Sequence, residues 1–323
     1  MEQKYLQNKW NSIIPDNIIK GYHTIRIDSS CIPDLFIGVN RLNNRCLIMI
    51  LPLGHGIDFR HSQKEKITLE QYHAPDIIVL TLLDKSYYEL FNDLILSIYN
   101  QVSDIVEFEK YSKMFISTFH MWSSFFEEVD LERLSQENIK GIFGELHVLK
   151  SLLNEANSMS VNEVLSSWRG PYDQSHDFVF DNVNIEVKTK NFTACQINIS
   201  SEYQLQEEIG KGLELLVLSV EADVINGKSI KDLLLDVKSD IYEKGGDFLI
   251  VLNALLQKGL TQSNIHMYDN FRFRPVDEIK YDCCRKGFPR LTESNTNVSI
   301  SEIRYKLNLK SLEKFVKSKN IIR

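Results

Sequence analysis

The sequence has few cysteines, no paired-cysteine motif and no long uncharged hydrophobic run. Its five cysteines form no C-x-x-C pair, so neither a zinc ribbon nor a disulfide framework is indicated. We expect reduced, mostly buried thiols at Cys31, Cys46, Cys195, Cys283 and Cys284. No apolar run approaches the roughly 18 residues of a membrane span, and the first ten residues contain no apolar signal segment. These absences favour a soluble cytoplasmic protein with no membrane partner.

Proline, glycine and basic residues are also sparse enough to exclude several classes of protein. With 7 Pro and 14 Gly among 323 residues, and 43% apolar residues, the chain is neither fibrous nor broadly disordered. The net charge of −7 argues against a wholly basic surface, although a local basic groove remains compatible with it. The pattern GxxxxGK[ST] is absent, so no ATPase motor is indicated.

The distribution of β-type and helical patterns divides the chain. Runs rich in β-branched and aromatic residues dominate 22–83, and helical spacing begins near residue 86. After residue 131 a helix is followed by alternating short strands and helices. We therefore predict an α/β (α+β) protein with a β-rich module at 1–105, a bridging helical segment at 106–130 and an α/β domain at 131–323.

A strongly amphipathic helix is predicted to begin after the N-cap residue Ser135. Its apolar stripe consists of Ile139, Ile142, Phe143, Leu146, Leu149 and Leu153. At about 100° per residue, Glu145 falls on the flank of this stripe, close to whatever the helix packs against. Taken alone, Glu145 is better explained as a boundary residue that reaches solvent or pairs with a basic side chain.

Two short β-type runs around an Asp/Asn-rich turn predict a hairpin at 175–190. Because side chains alternate along a strand, Glu186 and Lys188 share one face of the second run. Asp177 opens the first run and is placed across from Glu186. The simplest alternative is an ion-paired polar face of an ordinary surface hairpin.

Together, the helix and the hairpin have the composition of a metal-dependent phosphodiester hydrolase. Two carboxylates are hard oxygen ligands suited to Mg²⁺, which keeps several waters. Such a metal polarises the scissile phosphate and lowers the pKa of a bound water. A lysine on the same strand face can orient that water and stabilise the charge that develops on the phosphate. The two carboxylates also need a cation, since each raises the pKa of the other.

The motifs GIFGELHVLKSLL, WRGPYDQSHDF, IEVKTK and SSEYQLQ resemble those of the PD-(D/E)XK nuclease superfamily, which has the restriction-endonuclease-like fold. More narrowly, they look like the PD-(D/E)XK motif proteins of bacterial restriction and phage-defence loci. The resemblance to the nuclease core covers roughly 135–225, and the narrower group extends over most of the chain. It implies a mixed central sheet flanked by helices, with Mg²⁺ as the cofactor and Mn²⁺ as a substitute.

By this resemblance, Asp177 and Glu186 would bind the metal and Lys188 would be the catalytic lysine. Glu145 would be the accessory helix acid, and Gln204, at the start of the next helix, would match an active-site glutamine of some branches. The sequence departs from the literal motif at His176, which stands where the motif has proline.

Several basic residues are candidates for DNA contacts. Lys190 shares the strand face of Lys188, and Arg169 immediately precedes the acidic hairpin. Arg285 and Arg290 flank Phe288, which fits a DNA-contacting loop with base stacking. The alternatives are a solvated strand end for Lys190 and a turn with solvated charges for the loop.

The predicted function is a Mg²⁺-dependent DNA endonuclease of a restriction or phage-defence system. Double-strand cutting would favour a homodimer, since one such site cuts one strand at a time. Other proteins of a defence operon are further candidate partners. Two alternatives remain: a non-catalytic subunit that binds DNA or a partner, and a nuclease acting on RNA or on branched or modified DNA.

Overall fold

Two folding units, each with its own sheet, make up the chain. The structure is a computed structural model that describes residues 3–14, 21–54, 57–59, 61–127 and 132–322. The chain divides into one unit at Met1–Asp130 and a second at Leu131–Arg323. The predicted mixed α/β class is confirmed, since the first unit contains an antiparallel sheet and the second a mixed sheet with helices.

In the first unit the β-type runs form a single six-stranded antiparallel sheet. Its strands are β1 (Tyr22–Arg26), β2 (Leu35–Asn40), β3 (Arg45–Ile50), β4 (Ser62–Gln63), β5 (Ile67–His73) and β6 (Asp76–Leu82). The strand order across the sheet is β1-β2-β3-β6-β5-β4. The described helices are α1 (Gln3–Asn11), α2 (Tyr88–Val102) and α3 (Phe108–Ser123). Both α1 and α3 pack against α2.

The second unit is built on a five-stranded mixed sheet. Its helices are α4 (Gln136–Glu155), α5 (Val161–Ser167), α6 (Ile230–Glu243) and α7 (Leu249–Gln257). The sheet has the order β13-β11-β10-β8-β7, and β12 pairs separately with β9. These strands are β7 (Phe178–Val179), β8 (Val183–Asn191), β9 (Gln196–Ile199), β10 (Gly212–Ala222), β11 (Phe273–Asp282), β12 (Tyr305–Asn308) and β13 (Val316–Ile321). Only β8 and β10 pair in parallel, and the other pairs in the described residues are antiparallel.

Helix α4 begins as predicted and lies very close to β8. The Ser135 side chain accepts a hydrogen bond from the backbone N–H of Asn138, which caps the helix. A Cβ placed on Gly144 would lie only 1.7 Å from Thr189 Oγ1, so glycine is what allows the helix to approach the strand this closely. The next residue along α4 is Glu145, and the close approach brings it to the sheet.

The segment between β8 and β10 corrects one sequence prediction. Parallel strands are usually joined through a helix, and Gln204 was expected to begin one. Instead the connection forms β9, which pairs with β12, and Gln204 lies in a turn. Pairing with a strand more than one hundred residues later is a long-range event that local periodicity does not encode.

The predicted thiol state agrees with the structure. All five cysteines are free; Cys31, Cys46 and Cys283 are buried, and Cys195 and Cys284 are exposed. Burial raises the pKa of the Cys46 thiol to about 11, which keeps it protonated at neutral pH. In the described part of the chain, no helix is long and apolar enough to cross a membrane.

Candidate active site

The hairpin formed by β7 and β8 places the acidic and basic side chains at one point of the sheet. Phe178 pairs with Ile185, so Asp177, just before β7, lies opposite Glu186. Alternation along β8 puts Glu186 and Lys188 on the same face. Lys188 Nζ donates to Glu186 Oε1 at 2.7 Å, in a pair whose carboxylate side chain is 2% exposed and whose lysine is 16% exposed. This buried ion pair forms the centre of the site.

Asp177 is held in place by backbone groups on both sides. Its Oδ2 accepts a hydrogen bond of 2.8 Å from the Val187 N–H, which lies between Glu186 and Lys188 in β8. Its carbonyl oxygen accepts from the N–H groups of Arg169 at 2.7 Å and Gly170 at 3.0 Å. Asp177 therefore links the hairpin to the segment that precedes it, and its Oδ1 remains directed toward Gly170.

Glu145 enters the site from α4. Trp168 Nε1 donates to Glu145 Oε2 at 2.8 Å, and Lys258 Nζ lies 3.9 Å from Oε1. A Cβ on Gly170 would lie 2.4 Å from Asp177 Oδ1 and 3.0 Å from Glu145 Oε2. The two carboxylates thus flank the bare Cα of Gly170, where any larger residue would push into the space between them.

The electrostatics of the site follow from gathering three carboxylates away from water. Burial and the nearby Asp177 together raise the pKa of Glu145 to about 7, against the opposing effect of Lys258. Burial likewise raises the pKa of Asp177, and it raises that of Glu186 well above the usual range. A group of acids that resists ionisation in the protein alone is a group that a cation would stabilise.

The pKa of Lys188 is set by a competition between burial and its acidic neighbours. Burial acts to lower its pKa, but Glu186 and Asp177 together raise it above the ordinary lysine value. Its ammonium group is therefore protonated at neutral pH, where it donates hydrogen bonds and does not accept protons.

Glu145 provides a test of this electrostatic description in metal-free protein. Its pKa rises from 4.5 in the unfolded chain to about 7 in the folded protein, so the folded protein binds this proton more tightly. The resulting contribution to folding stability is fully present below about pH 4.5 and is lost as the pH rises through 7. We expect the metal-free protein to lose stability over this interval, by about 1.4 kcal/mol for each pH unit from this residue alone. Glu145→Gln should flatten the dependence of melting temperature on pH and stabilise the protein at pH 8.

The matched control is Glu155→Gln, which neutralises an exposed carboxylate at the C-terminal end of α4. It should leave the pH dependence of the wild type in place. Thermal melts in EDTA between pH 5 and pH 8 give the comparison. Parallel curves for the wild type and Glu145→Gln would contradict the assigned pKa shift.

The donor set fits Mg²⁺ bound by few protein ligands. Within the described residues, no group of three His, Cys, Asp or Glu side chains is arranged to hold a metal. Asp177 and Glu186 would instead supply two carboxylates, hard oxygen ligands that suit Mg²⁺, which keeps several of its waters. Val187 N–H and Lys188 each bond one oxygen of these carboxylates, and a bound cation would stabilise the ionised form of both acids, whose pKa values are raised by burial.

Three contacts of the site had no signal in the sequence. Lys258 follows the end of α7, more than one hundred residues after Glu145, and no spacing connects the two. Trp168 opens the motif WRGPYDQSHDF, but only the folded chain shows that it is buried and that its indole N–H donates to Glu145. Gly170 belongs to the motif WRGPYDQSHDF, but its steric role follows only from the folded backbone.

The remaining predicted residues differ in where they lie. Gln204 Oε1 accepts from the Ser200 N–H at 2.8 Å, a contact within its own turn. Arg169 is exposed beside Asp177. Lys190 is half-buried, and Nζ lies 3.2 Å from the carbonyl oxygen of Phe192. Burial lowers the pKa of Lys190, with Asp277 opposing the shift.

The predicted stacking loop near residue 288 is wrong in one respect. Phe288 is 7% exposed and packs edge-on against Phe315, so it belongs to the core and cannot stack on a base. Arg285 donates to the Lys314 carbonyl, and Arg290 donates to the Cys283 carbonyl and pairs with Glu207 at 2.7 Å. Both guanidinium groups therefore hold this loop together.

The fold and the site define an α/β protein in which helix and hairpin carboxylates meet a buried lysine. The family model described as "Putative PD-(D/E)XK family member, (DUF4420)" matches residues 6–310, nearly the whole chain. The chain therefore belongs to this family, and the resemblance stated from its motifs is confirmed. PD-(D/E)XK nucleases typically use a divalent metal. Neither a curated protein nor a solved structure matches the chain.

Proposed function

We propose that the protein is a Mg²⁺-dependent endonuclease that hydrolyses DNA phosphodiester bonds. The observation that carries this proposal is the convergence of Glu145, Asp177, Glu186 and Lys188 from one helix and one hairpin into a single buried cluster. A surface hairpin with a merely ion-paired face would leave these groups in water. Here the protein maintains three acids whose pKa values are raised, a costly arrangement that is typical of functional sites.

Each side chain of the cluster would have its own role in the hydrolysis. When bound, the metal would supply a Lewis acid for the phosphate and would lower the pKa of a water. Lys188, held by Glu186 and protonated at neutral pH, would donate to the phosphate oxygens and stabilise their growing negative charge. Lys258, which follows the last residue of α7, would lower the free-energy cost of ionising Glu145, because its ammonium group lies near that carboxylate. Trp168 would keep the Glu145 carboxylate in one orientation.

Contacts with the nucleic-acid backbone are proposed for Arg169 and Lys190. Arg169 is exposed, and its backbone N–H is bonded to the Asp177 carbonyl, so its side chain begins at the edge of the acidic cluster. Lys190 lies two residues beyond Lys188 on the same strand face. Arg285 and Arg290 are better explained as residues that stabilise their own loop.

The biological setting is part of this proposal, and it rests on the resemblance of the motifs to proteins of bacterial restriction and phage-defence loci. We propose a role in bacterial restriction or phage defence, in the cytoplasm, with DNA as the substrate and other proteins of the system as partners. A homodimer would place two such sites on opposite strands. The first unit, which contributes none of the clustered acids, would serve recognition.

A cleavage assay tests the proposal directly. Purified wild-type protein and Asp177→Ala are incubated with plasmid, linear and single-stranded DNA and with RNA, in Mg²⁺, Mn²⁺ or EDTA. We expect metal-dependent cutting of DNA that Asp177→Ala lacks. Cutting of RNA alone would replace DNA as the substrate. Binding without cutting, in a folded wild-type protein supplied with metal, would favour a non-catalytic binding subunit.

A further inference from the structure

The first unit contains a pocket that the active site does not use. It has a volume of about 970 Å³, within the range of small-molecule sites, and it is formed by one face of the six-stranded sheet. Thr68, Glu70 and Tyr72 line it from alternate positions of β5, and Phe36 and Ile48 line it from β2 and β3. This alternation means that a single face of the sheet, continuous from β1 to β5, surrounds the pocket.

The sheet curls strongly around this pocket. Strands β1 and β5 are four positions apart in the sheet, which would separate them by about 19 Å if the sheet were flat. Yet the Tyr22 side chain on β1 and the Tyr72 side chain on β5 line the same pocket, and Tyr72 lies close enough to raise the pKa of Tyr22. The two ends of the face therefore meet above its middle strands.

Gly38 explains how the curl is possible. It lies on β2, on the same face as Phe36, and a Cβ there would lie 2.3 Å from the His23 carbonyl oxygen of β1. Glycine within a strand marks such a close approach of two backbones. The pocket is thus a built feature of the backbone, flanked by Tyr22 and Tyr72.

The lining combines flat aromatic surfaces with a few directed polar groups. Tyr22, Phe36 and Tyr72 supply three rings over an apolar floor that includes Ile48 and Ile77. Glu70 offers a hydrogen-bond acceptor inside the pocket. Burial and the nearby Tyr72 raise the pKa of the Tyr22 hydroxyl far above neutrality, so Tyr22 stays uncharged. Such a lining suits a planar ligand with amino groups on its edge.

One cation completes the arrangement. Arg41 lines the pocket from the turn between β2 and β3 and is exposed, so it stands where the pocket reaches the surface. In the described residues no ion pair of Arg41 with a carboxylate is found. A ligand with a flat ring inside and one anionic group outside matches this distribution of charge.

We propose that this pocket binds a nucleobase, stacked against Tyr22, Phe36 and Tyr72, with its amino edge toward Glu70 and its phosphate toward Arg41. The choice of a nucleotide among planar ligands rests on the proposed action on nucleic acid. The base comes either from a free nucleotide or from a strand out of which it has been extruded, and extrusion would let the first unit select substrates by base identity.

Binding measurements in EDTA separate this proposal from cleavage. Full-length protein is titrated with 5′-mononucleotides by calorimetry, and with a duplex carrying 2-aminopurine at a mismatch, whose fluorescence changes when the base moves from the duplex stack into the pocket. Tyr72→Leu should weaken binding about 10-fold or more, because it removes a stacking surface. Tyr72→Phe keeps the ring and should lose less. The matched control is Tyr5→Leu in α1, since Tyr5 is 40% exposed and Tyr72 is 41% exposed.

Two arms identify the source of the base. A 2-aminopurine signal that needs Tyr72 supports an extruded base, and mononucleotide binding that needs Tyr72 without this signal supports a free nucleotide. Equal binding by Tyr72→Leu, Tyr5→Leu and wild type, or no binding of either probe, overturns the proposal. If the pocket proposal fails in this way but Tyr72→Leu still cleaves DNA like the wild type, the nuclease assignment stands. If binding depends on Tyr72 but the protein never cuts, the pocket proposal alone stands.

Discussion

Replacing Lys188 with methionine should reduce DNA cleavage about 100- to 1,000-fold, the cost of removing one preorganised donor from a developing anion. Lys188 Nζ bonds Glu186 Oε1 at 2.7 Å and contributes the ammonium charge nearest to Asp177 and Glu186. Methionine keeps much of the side-chain volume but leaves both acids without this cation. The loss should appear in kcat, since the interaction is strongest when charge accumulates on the phosphate.

Lys150→Met provides the control for this experiment. Lys150 also forms a lysine–carboxylate pair, with Asp240 at 2.9 Å between α4 and α6. Its replacement should cost stability without the kinetic loss. Initial rates on plasmid DNA and thermal melts of both variants are needed. Wild-type turnover by a folded Lys188→Met protein would remove Lys188 from the proposed chemistry.

Replacing Gly144 with alanine should cost about 2–3 kcal/mol of folding stability, although alanine is the better helix former. The added Cβ would lie 1.7 Å from Thr189 Oγ1 and 3.0 Å from Thr189 Cβ, so α4 and β8 must move apart. Because Glu145 is the next residue on α4, the same displacement should also weaken cleavage.

Gly141→Ala is a control within the same helix. A Cβ there meets nothing within 4 Å, so this substitution should stabilise the protein by up to about 1 kcal/mol. Thr189→Ala should recover part of the loss when combined with Gly144→Ala, since Thr189 Oγ1 has no hydrogen-bond partner to lose. Urea unfolding of Gly141→Ala, Gly144→Ala, Thr189→Ala and the Gly144→Ala/Thr189→Ala double variant, alongside the wild type, gives the stabilities to compare. Equal stabilities for Gly141→Ala and Gly144→Ala would mean that the helix does not press on β8 at this point.

These predictions depend on local patterns that could be read from the sequence. The apolar stripe that starts at Ile139 predicted α4, and alternation along β8 predicted that Glu186 and Lys188 share a face. The turn residues between Phe180 and Val183 predicted the hairpin that places Asp177 across from Glu186. Each inference spans fewer than twenty residues, the range over which helical and strand periodicity act directly.

Long-range packing decided the rest, because it depends on surfaces that only the folded chain brings together. Glu145 could have remained a solvated helix residue; its burial beside Trp168 and Lys258 comes from the contact of Gly144 with β8. The same physics overturned the helix expected at Gln204, since β9 pairs instead with β12 near the C-terminal end.

The sequence by itself determined the mixed α/β class, the start of the principal helix and the pairing of acid and lysine on one strand. The tertiary structure alone decided the environment of those groups, and with it their raised carboxyl pKa values. It also decided the curl that joins Tyr22 to Tyr72. Periodicity specifies which face a side chain takes, whereas burial and curvature arise from what that face meets.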